Sequence, residues 1–368
     1  MNNFKKIGLT ALAGSLAAIS LQAGEMSVSG SFNATYSVDS GTNTNTTKGK
    51  GLGTDKDFSV SGSGELDNGW TFSGYTQLTD AMAVSSSALS MTMGSLGSIS
   101  IASGSGGNST KYDVQTPTAY EEVDDGGNTS LSANFVGNWA DNNSLMYASP
   151  SFDLGAGVTG VLHAEYSPEA TGTSPNDGGV QDSLSYGDGK SLGITLTGEG
   201  VTFGAYGAER TRTDETKGVN DSLEMVAYLN YAVGNFAVGV STSHYDSGLQ
   251  TASNAVAALT TAAKVVGTAD GIFESTTYSV AYNINENVSV SYARASDTYD
   301  AQSSDNIGTG GAVTVADVDS DTESFQVAYS MGAMSIKAYQ TTQDNVTYRT
   351  GTSSGEQTVS EIALGLAF

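Results

Sequence analysis

Four carboxylates, Glu121, Glu122, Asp124 and Asp125, stand within five positions of one another. Fixed negative charge at that density draws cations and repels anions over about 8 Å, the Debye length at physiological salt. Asp113 and Tyr120 precede the run. At a surface it is a solvated acidic tip; in a narrow wet passage it is a charge filter. A second acidic run, Asp317-Val318-Asp319-Ser320-Asp321-Thr322-Glu323, resembles the first half of a calcium loop. The helix-loop-helix pattern needs Gly where Thr322 stands and Glu where Ala328 stands, so it fails. What it leaves is weak divalent (Ca) binding by Asp317, Asp319, Asp321 and Glu323. His163 and Glu165 sit two apart, on one face of an extended segment with Thr159. A hydrolase needs a histidine polarised by a carboxylate beside a nucleophile, and Ser and Thr are too abundant here for proximity to mark one. No enzyme is expected, and neither is a multi-histidine metal site, because His244 is the only other histidine. With no cysteine there is no thiol enzyme, zinc finger or disulfide scaffold.

The whole chain carries 39 Asp+Glu against 14 Lys+Arg, a formal charge of −25, yet only 14% of its residues are charged. An ordinary soluble domain has roughly a quarter. The acidity is therefore a shortage of bases, which excludes nucleic acid as a partner, since neutralising phosphates takes clustered Lys and Arg. The 46 glycines and the abundance of Ser, Thr and Asn leave the location of a hydrophobic core unexplained.

Residues 1–23 carry Lys5 and Lys6 ahead of an apolar stretch, Ile7–Leu21, and a small residue, Ala23. That is the layout of a secretory signal peptide, too short and small-sided for a good membrane anchor. A short N-terminal helix of the mature fold is the alternative. Leu21 fits the small-residue rule at the cleavage site poorly, so the cut is placed only near Ala23. The mature chain, 24–368, is exported.

Beyond it the pattern has period two. Met26, Val28, Phe32, Ala34, Tyr36 and Val38 share one parity, and Ser27, Ser29, Ser31, Asn33 and Thr35 the other. Side chains alternate faces along a strand, so one face is apolar and the other small and polar. Sixteen such segments can be drawn, near 25–39, 56–66, 70–80, 86–94, 97–103, 143–149, 154–166, 183–197, 200–213, 221–232, 236–246, 272–284, 287–298, 322–331, 333–346 and 356–368. Short and long connections alternate between them. Turns such as Asp67-Asn68-Gly69 and Gly332 alternate with long polar stretches such as 40–55, 104–142, 247–271 and 299–321. The Ala-rich run 251–266 has the composition of a short helix. All the tight turns then lie at one end of a sheet and all the long loops at the other.

A water-soluble sandwich needs large apolar residues on its inner face, and these are scarce. Lipid outside and a wet lumen inside account for both faces at once. Closure is required, since an open edge in hydrocarbon leaves backbone groups unpaired at several kcal/mol each. The reading is one domain: an all-β, sixteen-stranded antiparallel transmembrane barrel with short periplasmic turns and long outer loops.

The Gly24-Glu25-Met26-Ser27-Val28-Ser29-Gly30 opening and the Asn68-Gly69-Trp70-Thr71-Phe72-Ser73-Gly74 hairpin resemble those of Gram-negative general porins, of the alphaproteobacterial type. So do Tyr147-Ala148-Ser149-Pro150-Ser151-Phe152 and a last strand ending in Phe368. The resemblance implies a homotrimer in the cell outer membrane, in contact with its lipid, passing small polar solutes and ions by diffusion. Phe368 is similar to the terminal aromatic read by the outer-membrane assembly machinery, and its plainer role is a lipid-facing girdle position. The resemblance further implies that the third long loop, 104–142, folds into the lumen. That places Asp113, Tyr120, Glu121, Glu122, Asp124 and Asp125 at a constriction with a preference for cations. Such channels set bases on the facing wall; the candidates, by inward parity, are Arg210, Arg212 and Lys337, with His163 and Glu165 also on the wall. Arg294 has lipid-facing parity, which costs about 2–4 kcal/mol at the midplane and points to a bulge or a trimer contact. The competing function is an exported structural or adhesive barrel whose loops bind a partner.

Overall fold

The structure is a computed structural model. It describes residues 25–42, 48–79, 83–126, 130–171, 186–213, 220–249, 271–300, 317–348 and 355–368. The signal segment 1–23 and the Ala-rich run 251–266 lie outside the described residues.

Seventeen strand segments follow one another. They are β1 (Glu25–Gly41), β2 (Gly49–Glu65), β3 (Thr71–Leu78), β4 (Val84–Thr92), β5 (Ser98–Ser103), β6 (Asn142–Ala148), β7 (Phe152–Gly155), β8 (Val158–Ser167) and β9 (Tyr186–Thr197). Then come β10 (Val201–Arg212), β11 (Ser222–Val233), β12 (Phe236–Asp246), β13 (Ile272–Asn283), β14 (Val288–Asp300), β15 (Val318–Met331), β16 (Met334–Gln343) and β17 (Gln357–Ala367). Sequence neighbours pair antiparallel, and β17 returns to pair with β1, so the sheet has no free edge. Segments β6 and β7 are two pieces of one wall strand, both paired with β8. The wall therefore has sixteen strands, as the alternation predicted.

The break between β6 and β7 falls at Ser149-Pro150-Ser151. Pro150 has no N–H to give a ladder. Ser149 takes over on both counts: its N–H donates to the Leu162 carbonyl at 2.9 Å, and its Oγ accepts from the Leu162 N–H at 2.9 Å. The turn that follows is Gly155-Ala156-Gly157, all three with positive φ. Residues 154–157, expected to begin a strand, instead end one and make this turn. In the other direction, 49–55, expected as loop, is strand in β2.

Facing follows the predicted parity. Along β17, Ile362, Leu364 and Leu366 are exposed on the outer surface, and Ala363 is buried on the inner one. The terminal residue closes the seam. Phe368 donates its N–H to the Gly30 carbonyl and accepts from the Gly30 N–H, both at 3.0 Å. Its ring lies on Gly30: a Cβ there would stand 2.7 Å from the ring and 2.9 Å from the Asp57 carbonyl oxygen. Gly30→Val should therefore cut the yield of closed barrel several-fold, read as loss of the heat-modifiable electrophoretic band.

The apolar core lies inside the barrel. Tyr112, Val136 and Trp139 of the β5–β6 connection pack with wall residues Tyr206, Tyr228, Tyr245 and Phe273 in one buried cluster. A wet lumen narrowed by the third long loop was the expectation; on the β8–β15 side the loop and the wall meet in a packed aromatic core. An apolar outer face with nothing large opposite would leave the long connection undocked. These aromatics supply the buried area that holds it.

Candidate functional site

The connection between β5 and β6 runs inside the barrel and is fastened to the wall along its length. Near its start, the Asn108 N–H donates to Glu165 Oε2 at 3.2 Å and its side-chain amide to the Ala164 carbonyl at 3.0 Å. The Tyr112 hydroxyl pairs with His163 Nδ1, and its ring stacks on Tyr206 at 5.1 Å. The wall makes room by omitting side chains. A Cβ on Gly193 would lie 2.6 Å from the Tyr112 ring, and one on Gly189 2.3 Å from the Trp139 ring.

The middle of the loop crosses to β14–β17. The Ala119 N–H donates to Ser291 Oγ at 2.9 Å. Gln326 Oε1 accepts from the N–H groups of Tyr120 (2.9 Å) and Glu121 (3.1 Å), while its Nε2 donates to the Glu121 carbonyl at 2.8 Å. The Thr341 hydroxyl donates to the Asp125 carbonyl at 3.2 Å. Tyr120 donates its hydroxyl to Glu361 Oε1 at 3.2 Å, and Ser37 donates to Oε2 at 2.8 Å. The returning limb is held by carboxylates accepting backbone N–H groups: Asp124 from Leu131 (2.7 Å), Asp297 from Ser132, and Glu224 from Gly137 (2.6 Å). A charged acceptor is worth more than a neutral one in such a setting.

The acidic run thus divides. Asp124 is buried and spent on the loop's own amides, accepting also from Asn134. Asp125 is exposed, and Glu121 and Glu122 are half-buried. Burial pushes the Glu121 carboxyl up to about 7, with Asp125 adding to the rise and Lys337 opposing it. Burial, then Asp124, Asp113 and Asp125, push Glu122 up to about 9. Burial likewise lifts Asp124 to about 6, against the Leu131 N–H, and raises Asp113. Glu122 is therefore neutral at pH 7 and Glu121 only partly ionised. The run therefore presents a smaller field than four full charges would, because crowding and desolvation disfavour the charged forms.

Among the basic candidates, Arg210 and Arg212 do face inward. They lie over the Tyr186 ring at 4.0 and 4.4 Å and donate to the carbonyls of Ala170 (3.5 Å) and Ser247 (2.7 Å). That is the long-loop end of β10, beside Glu224 rather than the acidic run. Lys337 also faces inward, with Nζ 4.8 Å from the Tyr120 ring centre. His163 and Glu165 are buried loop anchors, with Glu165 accepting from Ser144 at 2.7 Å as well. Arg294 points outward, as its parity says, and no register shift interrupts β14. Glu323 at 3.6 Å and Asp321 at 3.8 Å on the adjacent strand provide its counter-charge.

From Val318 onward the second acidic run is strand, in β15. Asp319, Asp321 and Glu323 are strung along β15 over about 14 Å, too long a line for all three to converge on one ion. Asp319 accepts from Thr298 at 2.6 Å. Among the described residues no group of three His, Cys, Asp or Glu, Asp317 included, is placed to hold a metal.

Across the lumen, the inward positions of β1 and β2 are Ser31, Asn33 and Thr35 paired with Asp57, Asp55 and Gly53. Lys50 and Lys56 have the outward parity. Among the described residues this wall presents hydroxyls and carboxylates and no base. Sequence reading did not single out Glu224, Asp297, Gln326 or Glu361. Their one visible signal was a polar side chain of inward parity.

No protein-family model matches the sequence, and no curated protein does. The fold has clear relatives among solved structures. An outer-membrane protein, OmpT, of Vibrio cholerae superposes with a TM-score of 0.62 at 12% identity, covering 95% of this chain and 99% of its own. An anion-selective porin from Comamonas acidovorans gives 0.61 at 12%, covering 94% and 100%. Salmonella typhi OmpF, in complex with daunomycin, gives 0.59 at 12%, covering 95% and 99%. The chain has the porin-type barrel fold over nearly its whole described length.

Proposed function

We propose that this chain is an outer-membrane channel of a Gram-negative bacterium, passing small polar solutes by diffusion and favouring cations. The observation that carries the reading is the long loop docked inside a closed barrel, with the carboxylates of Glu121 and Asp125 on it and Lys337 the single base acting on Glu121. A sixteen-stranded barrel leaves an aqueous channel, so an ordered inward loop sets its width. A net negative charge in that narrow section favours cations.

The homotrimer is part of this proposal, and short wall strands support it. A tilted strand needs about 9–11 residues to cross hydrocarbon. Strands β3 and β5 have 8 and 6. The outer face of β3–β6 carries Phe72, Leu89, Met91, Ile99, Ile101 and Leu145 around an apolar hollow of about 330 Å³. Neighbouring copies would cover a wall too short for lipid; a trimer form is described for the Vibrio cholerae protein. Export by residues 1–23 and recognition of Phe368 by the assembly machinery belong to the same reading.

Recording in a planar bilayer tests it. Stepwise conductance should appear, with a reversal potential in a salt gradient of the sign for cations. Preference should rise with pH between about 5 and 8. The Glu121 carboxyl, raised to about 7, is neutral below that value and adds negative charge as pH passes through it. Stable insertion without current would sink the channel and leave the adhesive barrel.

A further inference from the structure

Lys337 is the fourth residue of β16, on the same inward face as Thr341, which four positions on holds the Asp125 carbonyl. Its ammonium nitrogen is 4.8 Å from the centre of the Tyr120 ring, and Glu121 acts on it electrostatically. The Tyr339 ring lies 5.8 Å from that of Tyr120. Tyr120 is itself fixed by its bond to Glu361. An aromatic face with carboxylates around it is what a primary ammonium requires, and here one is already in place. A lysine stem is flexible, so its ammonium can leave and another can enter.

We propose that Tyr120, Glu121 and Glu361 form a primary-ammonium site in the lumen, and that Lys337 is its built-in competitor. This rests on the channel reading and narrows the solute class to molecules carrying a primary amine. Glu361 keeps Tyr120 in position and supplies charge. Lys337 fills the site between solutes, so amines pass by exchange and are not retained. Its removal should convert a site of passage into a site of block.

The test uses the full-length barrel with n-butylammonium as probe. Lys337→Met should lower the half-blocking concentration about fivefold or more, since a desolvated cation–ring contact reaches that size. Lys337→Arg should behave as the parent, and Glu361→Gln added to Lys337→Met should return the value toward it. A second arm needs no current: broadening of the n-butylammonium proton resonances by refolded barrel should grow in Lys337→Met. If no form conducts, the channel reading fails and the resonance arm decides this inference alone. Lys337→Gln stands in if Lys337→Met does not give the heat-modifiable band. Equal block and equal broadening in parent and variant would overturn the proposal.

Discussion

Leucine at both Gly189 and Gly193 should roughly double the single-channel conductance and make it noisy, because the inner loop loses its bed on the wall. The two positions lie on β9 beneath Trp139 and Tyr112, with no space for a Cβ. Overpacking a filled site costs about 1–3 kcal/mol each time. Against this the loop keeps hydrogen bonds to Gln326, Thr341, Asp297 and Glu224, each worth about 1–3 kcal/mol when a charge or a buried group is involved. Leucine at Gly193 alone should loosen the Tyr112 end, and the pair should free both ends of the loop from β9 while its middle stays tied to β14–β17. The noise is the signature of that half-docked state. Gly207→Leu is the control: it faces outward, and the nearest atom to its Cβ is 3.9 Å away. Its conductance should match the parent. If the double variant conducts like the parent, the loop does not set the width.

Neutralising Glu121 and Asp125 together should remove about half or more of the cation-selective reversal potential, while Asp124→Asn should barely change it. A pure count of carboxylates predicts equal effects. The structure separates them by exposure. Asp125 is open to the lumen, and Asp124 is enclosed and accepting amide hydrogens. An asparagine oxygen can still accept from Leu131, so the loop holds. Asp124→Ala should differ again, leaving the Leu131 N–H without its acceptor at about 1–3 kcal/mol and loosening the returning limb. Glu122→Gln should be silent at pH 7 and should matter only toward pH 9, where the parent side chain begins to ionise. Equal effects of Asp124→Asn and of the Glu121/Asp125 pair would show that the charge is felt through the protein and not in the water path.

Period-two alternation and the rhythm of short and long connections determined the barrel, its sixteen wall strands, the parity of Arg210, Arg212, Lys337 and Arg294, and the loop that had to be special. These are local properties. A strand's facing is fixed by backbone geometry over a few residues, and a tight turn by the two or three residues within it. The tertiary structure alone decided which carboxylates are charge and which are fasteners. Gly137 meets Glu224 across 87 positions, Ser132 meets Asp297 across 165, and Tyr120 meets Gln326 across 206. No local pattern encodes such a pairing, since any inward polar residue on the wall satisfies the alternation equally well. The shift of Glu121 and Glu122 toward neutrality has the same origin. Desolvation depends on what the chain folds against, not on neighbours in sequence, so a count of four carboxylates in five positions exceeds the field that the folded loop presents.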